Sequence, residues 1–212
     1  MSPATLFGLL LAFSGPLLAY ALGQWIYGAE QSPGRVASGL VIHWINFAAV
    51  IAVVLYAEKR PLSSIGFRPM RWWTFPLGVA AGVVFTLLTG LIVSAFKLGA
   101  DAQLAVYLQS LPFITRVLLV VTAGVFEETL YRGYGIERLT SIFGNKWAAG
   151  VVTVALFTLA HAPAVGWSHL LPVCIVSIMV TLLYLWKRDL VVNMVAHSTV
   201  DAIALLVAPA IH

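Results

Sequence analysis

Seven apolar runs, each close to the roughly 20 residues that a helix needs to cross a bilayer, follow one another through this chain. They cover residues 5–25, 36–56, 75–96, 113–134, 147–164, 169–186 and 190–211. Of 212 residues, 61% are hydrophobic and only 9% charged, against about 25% charged in ordinary soluble domains. No water-soluble fold of this size could hide so much apolar surface. Outer-membrane barrels carry short alternating segments, and these runs are long and continuous. The expected fold is therefore an all-α polytopic membrane protein, a bundle of about seven transmembrane helices. Residues 1–212 read as one membrane-embedded domain, and its polar motifs fall in the half from about 111 to 212.

The first run contains Ala19-Tyr20-Ala21, which resembles a signal-cleavage box. No Lys or Arg precedes it, and it exceeds an h-region of about 7–15 residues, so it reads as a retained helix. Residues 102–110 are too short to span and suit an interfacial position. Between residues 58 and 73, Lys59, Arg60, Arg68 and Arg71 alternate with Leu62, Ile65, Phe67, Trp72 and Trp73. That mix suits either a segment lying along a membrane surface or a basic cytoplasmic loop. Cys174 is the single cysteine and lies in an apolar run, so it reads as a small buried residue.

Lys and Arg divide by membrane side. The connections after the second, fourth and sixth runs hold Lys59, Arg60, Arg68, Arg71, Arg138, Lys146, Lys187 and Arg188; the other side holds Arg35 and Lys97, with Arg116 near an interface. Positive residues stay in the cytoplasm, so we expect a multi-pass integral protein with its N-terminus cytoplasmic, in a bacterial inner membrane. The net charge of +4 is thus a topology signal and not a nucleic-acid patch. Membrane lipid and a peptide or membrane-protein substrate are the expected partners. No feature specifies an oligomeric state.

Charges inside the runs are the chemical signal, because a charged side chain near a bilayer centre costs roughly 2.5–3.5 kcal/mol on insertion scales. The fourth run carries Glu127, Glu128 and Arg132, the fifth Phe157 and His161, and the last Asn193, His197 and Asp201. At 1.5 Å per residue, Glu127 lies about 18 Å, His161 about 21 Å, His197 about 10 Å and Asp201 about 16 Å from the same membrane face. Three helices thus bring polar groups into one slab. Glu128 and Arg132, four apart, can pair along one face, while Glu127 points about 100° away. Asn193, His197 and Asp201 share one face of the last helix. His43 could reach the same cavity; His169 and His212 read as loop and terminus with no role.

A Glu, two His and an Asp or Asn inside a membrane suit peptide hydrolysis. Glu127 and His161 could activate a water, and His197, with Asp201 or Asn193 beside it, could steady the oxyanion. No Ser or Cys stands out as a nucleophile. No cofactor is favoured, although Glu127, His161, His197 and Asp201 are also ligand types suited to catalytic zinc, and that use stays open. A proton-coupled transporter and a non-catalytic scaffold or immunity protein are the alternatives.

These residues resemble the CAAX-processing and bacteriocin-processing membrane proteases, the type II CAAX prenyl endopeptidases and their abortive-infection-like bacterial relatives. The family pattern is Glu-Glu-x-x-x-Arg, then Phe-x-x-x-His, then His-x-x-x-Asn or Asp. It falls here on Glu127, Glu128 and Arg132; on Phe157 and His161; and on His197 and Asp201. The resemblance implies intramembrane endopeptidase activity, with Glu127 and His161 on the water and His197 and residue 201 forming the oxyanion hole. Well-studied members cut after a prenylated cysteine, and the family is commonly labelled metalloprotease. One position departs: eukaryotic-type members have Asn where this chain has Asp201. The expectation is that Asp201 orients His197 and that Asn193 supplies the missing amide.

Overall fold

The computed structural model describes residues 1–28, 32–97, 102–167 and 170–207, and all regular structure among them is helical. Helix α1 (Pro3–Tyr27) starts where Ser2 accepts a hydrogen bond from Thr5 N, with proline at its first turn, and stops at Gly28, φ +66°. Serine caps and first-turn prolines are favoured because neither leaves a start-of-helix N–H wasted. Helix α2 (Pro33–Ala52) repeats that start with Ser32 and widens into a π-helical turn, Val53–Ala57. After the short 3-10 turn Leu62–Ile65 come α3 (Thr74–Ala95) and α4 (Ala102–Ser110).

Helix α5 (Phe113–Thr122) runs on through a wide π-helical stretch, Ala123–Ile136, into α6 (Glu137–Phe143). Three more follow: α7 (Lys146–Val165), α8 (Leu170–Lys187), and α9 (Leu190–Ala202) with a π-helical end, Ile203–Val207. Among the described residues six stretches are long and apolar enough to cross a membrane; a seventh is the pair Leu104–Ser110 and Phe113–Phe143, bent by 117°. The expected count therefore holds. The bend has a local cause: Pro112 is extended (ψ 143°), and a proline biases the residue before it out of the α-helical region.

The expected fourth span ended at residue 134, yet the helix continues to Phe143 and stops at left-handed Gly144. The extra turns are accommodated because their charges find partners. Arg138 pairs with Glu58 at 2.7 Å, both side chains almost wholly buried, and Glu137 pairs with Arg188. Residues 58–73 are likewise partly drawn into the bundle. Ile65 is buried, and the Gly66 carbonyl accepts from Leu190 N at 2.8 Å, whereas Met70 and Trp72 stay exposed. Residue 169 and the last part of the run to 211 lie outside the described residues.

The bundle turns apolar side chains to the outside and keeps its intramembrane charges within, as a bilayer requires. Leu87, Leu91, Val151 and Leu182 face outward, while Glu128 and Arg132 are fully buried. The long helix from Phe113 is the hub: Phe126, Leu130, Tyr131, Tyr134 and Ile136 join one core with Leu9, Val54, Phe157 and Met194. Helices α3 and α9 approach through Gly78 and Gly82, where an added Cβ would meet the carbonyl oxygens of Val192 at 2.9 Å and Ala196 at 2.5 Å. Small residues permit such close backbone approach in membranes, and this contact sets the position of the helix that carries His197.

Candidate active site

Three helices deliver the polar residues to one place. Glu127 and Glu128 leave the long helix in different directions: Glu128 is sealed inside the bundle, whereas Glu127 keeps a side-chain exposure of 20%. Arg132 Nη1 donates to Glu128 Oε1 at 2.9 Å, the pairing that their spacing predicts. Sequence gave no sign of the other partners of Arg132. Its Nη2 donates to the Ser177 hydroxyl at 2.9 Å and the Ser177 carbonyl at 3.2 Å, and its Nε to Thr181 at 3.4 Å. Both are ordinary residues in an apolar helix, α8, with no pattern to mark them.

Glu128 also fastens α9. His197 Nδ1 lies 2.8 Å from Glu128 Oε1, and Asn193 Nδ2 donates to Glu128 Oε2 at 3.1 Å and to the Val180 carbonyl at 2.8 Å. Two sequence expectations change here. Asp201 does not orient His197 by a hydrogen bond, because its carboxylate stands 3.7 Å from Nε2, beyond bonding reach; Glu128 holds that ring instead. Nor is the Asn193 amide available to an oxyanion, since its N–H groups are committed to Glu128 and Val180.

Glu127 sits between two imidazoles. His161 Nε2 lies 3.8 Å from its Oε1 and His197 Nε2 lies 3.8 Å from its Oε2. His161 Nδ1 is 2.8 Å from the Phe157 carbonyl, which only accepts, so Nδ1 carries the hydrogen. In the neutral ring Nε2 is then an acceptor. Two acceptors 3.8 Å apart do not bond to each other, but a water with two O–H donors satisfies both.

Phe157 is the wall between the buried ion network and Glu127. Arg132 lies over its ring at 4.4 Å, and the rings of His161, Tyr131 and His197 surround it at 4.5, 5.0 and 6.2 Å. On the far side opens a cavity of about 430 Å³, which Glu127, His161, Tyr131 and His43 help to line. His43 therefore does reach it, packed edge-on against Phe126 at 4.4 Å. His169 and His212 lie outside the described residues.

The chain's four candidate zinc donors meet only loosely. No three His, Cys, Asp or Glu side chains converge as a metal site among the described residues; Nδ1 of each histidine is engaged, which leaves Nε2 of each turned toward Glu127. No step below is routed through a metal.

Residues 109–203 match the family described as type II CAAX prenyl endopeptidase Rce1-like, a stretch that contains every motif residue from Glu127 to Asp201. UPF0177 protein YxdF of Lactococcus lactis subsp. lactis (strain IL1403) is 28% identical over 128 residues, which is 56% of this chain and 69% of that protein. No solved structure matches the chain.

Proposed function

We propose that the chain, whose residues 109–203 match the Rce1-like type II CAAX prenyl endopeptidases, is a member of that family and hydrolyses peptide bonds within the membrane by water that Glu127 and His161 activate. At family level it is a CAAX-protease-like membrane endopeptidase. The observation that carries the finer reading is the position of Glu127, flanked at 3.8 Å by the Nε2 atoms of two histidines from separate helices and facing a cavity.

Water held between Glu127 and His161 gives a proton to Glu127 as its oxygen bonds to the substrate carbonyl carbon. The carbonyl π pair moves to oxygen. Collapse of the tetrahedral intermediate breaks the C–N bond, and the proton on Glu127 passes to the departing amine. His197, held by Glu128, faces the developing oxyanion through Nε2. It presents a second N–H there as an imidazolium, because Nδ1 already donates to Glu128. Arg132, Asn193 and Phe157 act at one remove by fixing Glu128 and the two rings.

The cavity suits an extended peptide segment of a membrane-associated substrate. Its basic connection 58–73 lies on the cytoplasmic side in this reading, which protease accessibility in sealed vesicles of either orientation tests. For the activity, purified protein in detergent is offered a quenched peptide library. Wild type cleaves, and Glu127→Gln and His161→Ala do not. Equal cleavage by wild type and Glu127→Gln would remove Glu127 from the reaction.

A further inference from the structure

Tyr131 is a side chain at the cavity, close to Glu127, for which neither motif nor pairing accounts. It is 1% exposed, yet its hydroxyl has no hydrogen-bond partner among the described residues. A buried polar group left unsatisfied is destabilising, so a phenylalanine would serve the packing better. The ring itself is held firmly, against Phe157 at 5.0 Å and Phe13 at 5.7 Å. It stands four residues after Glu127 on the same helix and lines the same cavity as Glu127 and His161.

Asn193, His197 and Asp201 of α9 supply no free neutral donor to the site. Asp201 offers a carboxylate, Asn193 is committed to Glu128 and Val180, and His197 gains its second N–H only by carrying charge. A phenol keeps its proton at neutral pH and donates one hydrogen bond. Resting on the endopeptidase reading above, we propose that Tyr131 is a further catalytic residue, whose hydroxyl donates a hydrogen bond to the carbonyl oxygen of the scissile peptide as that oxygen becomes an oxyanion. The phenol proton stays on Tyr131 throughout. Water's oxygen bonds to carbon, the π pair resides on the oxygen that Tyr131 faces, and the pair returns when the C–N bond breaks.

Removing one such donor elsewhere costs about 10²–10³-fold in kcat. Tyr131→Phe keeps the ring and its contacts, so its thermal midpoint in detergent stays at or above that of wild type. Its kcat falls by about 10²-fold, while KM changes little because the bond strengthens only in the transition state. A peptidyl phosphonate, which mimics the tetrahedral anion, binds Tyr131→Phe more weakly by a comparable factor, and the uncleaved peptide bound to Glu127→Gln is unaffected by the added Tyr131→Phe change. Asp201→Asn in the Tyr131→Phe background recovers part of the rate by supplying an amide. If wild type cleaves, Glu127→Gln does not and Tyr131→Phe matches wild type in kcat, the role of Tyr131 falls and the endopeptidase reading stands. Absence of cleavage by wild type would bring down both.

Discussion

Glu128 Oε1 is shared by a guanidinium and an imidazole from different directions: Arg132 Nη1 at 2.9 Å along its own helix and His197 Nδ1 at 2.8 Å from α9. One carboxylate therefore joins the long helix, α8 through Arg132 and Ser177, and α9 through His197 and Asn193. The adjacent Glu127 makes no such close bond and is left to the cavity. Two acids that neighbour in sequence thus divide into a buried tie and a reactive group.

That division predicts opposite phenotypes. Removing one partner from a buried ion pair costs about 3–5 kcal/mol, because the other charge stays behind without compensation. Glu128→Ala strands Arg132 and frees two donors, so its thermal midpoint and folded yield drop sharply. Glu127→Ala keeps both near wild type while cleavage disappears. Thermal unfolding of the two variants in one detergent checks the contrast, and a wild-type midpoint for Glu128→Ala would refute the tie.

The seat of α9 depends on two glycines of α3. A Cβ at Gly82 would come within 2.5 Å of the Ala196 carbonyl oxygen, the residue just before His197, and backbone cannot swing aside as a long side chain can. Gly82→Ala is expected to cost about 1–3 kcal/mol, the usual range for overpacking, and to lower kcat further by shifting His197 from Glu127. Gly90, on the same helix, has open space at its Cβ position among the described residues. Gly90→Ala therefore serves as the control, with unchanged cleavage and a small gain in stability. Loss of activity in both variants, or in neither, would detach the glycine contact from the site.

Much of this arrangement was legible before any coordinates. Spacing by four predicted the Glu128–Arg132 pair because both residues lie on one helix, where geometry is local. Depth along three helices predicted that Glu127, His161 and His197 would meet. What local periodicity cannot reveal is the partner on another helix. Ser177 and Thr181 look like any small residues of an apolar run, and the choice of Glu128 over Asp201 as the hold on His197 depends on how α9 is rotated against the long helix. The sequence likewise places Arg138 among the loop charges on one membrane side and marks no partner for it in Glu58. They lie far apart in sequence, so only the packing of α1, α2 and α6 reveals that they bury each other.

Metal dependence separates two chemistries for the same four residues. With Nδ1 of His161 on the Phe157 carbonyl and Nδ1 of His197 on Glu128, the proposed reaction needs only Glu127, the imidazoles and water. Chelator-treated protein is then expected to retain its cleavage rate, and elemental analysis of the active sample to find less than one zinc per chain. Loss of activity on chelation, with recovery on adding zinc, would recast Glu127, His161, His197 and Asp201 as ligands.

Acid should loosen the fold at Glu58, away from the site. Burial alone would raise the pKa of this carboxyl, but hydrogen bonds from Arg138, Thr5 and Tyr134, with the charge of Arg138, hold it below its ordinary value. A depressed carboxylate pKa contributes stability that is present above the unfolded value, near 4.5, and is lost as pH falls through the lower folded value. At neutral pH Glu58→Gln should therefore unfold well below wild type, because Arg138 Nη2, 2.7 Å from Glu58 Oε2, keeps its charge without a partner. As the pH drops below about 4.5 the unfolded chain takes up the proton first, and the gap between the two midpoints narrows until the folded carboxyl is protonated as well. Thermal unfolding of both proteins in detergent from pH 7 to pH 4 measures that gap. A gap that stays constant across the range would show that the Glu58 charge contributes nothing to holding α1, α2 and α6 together.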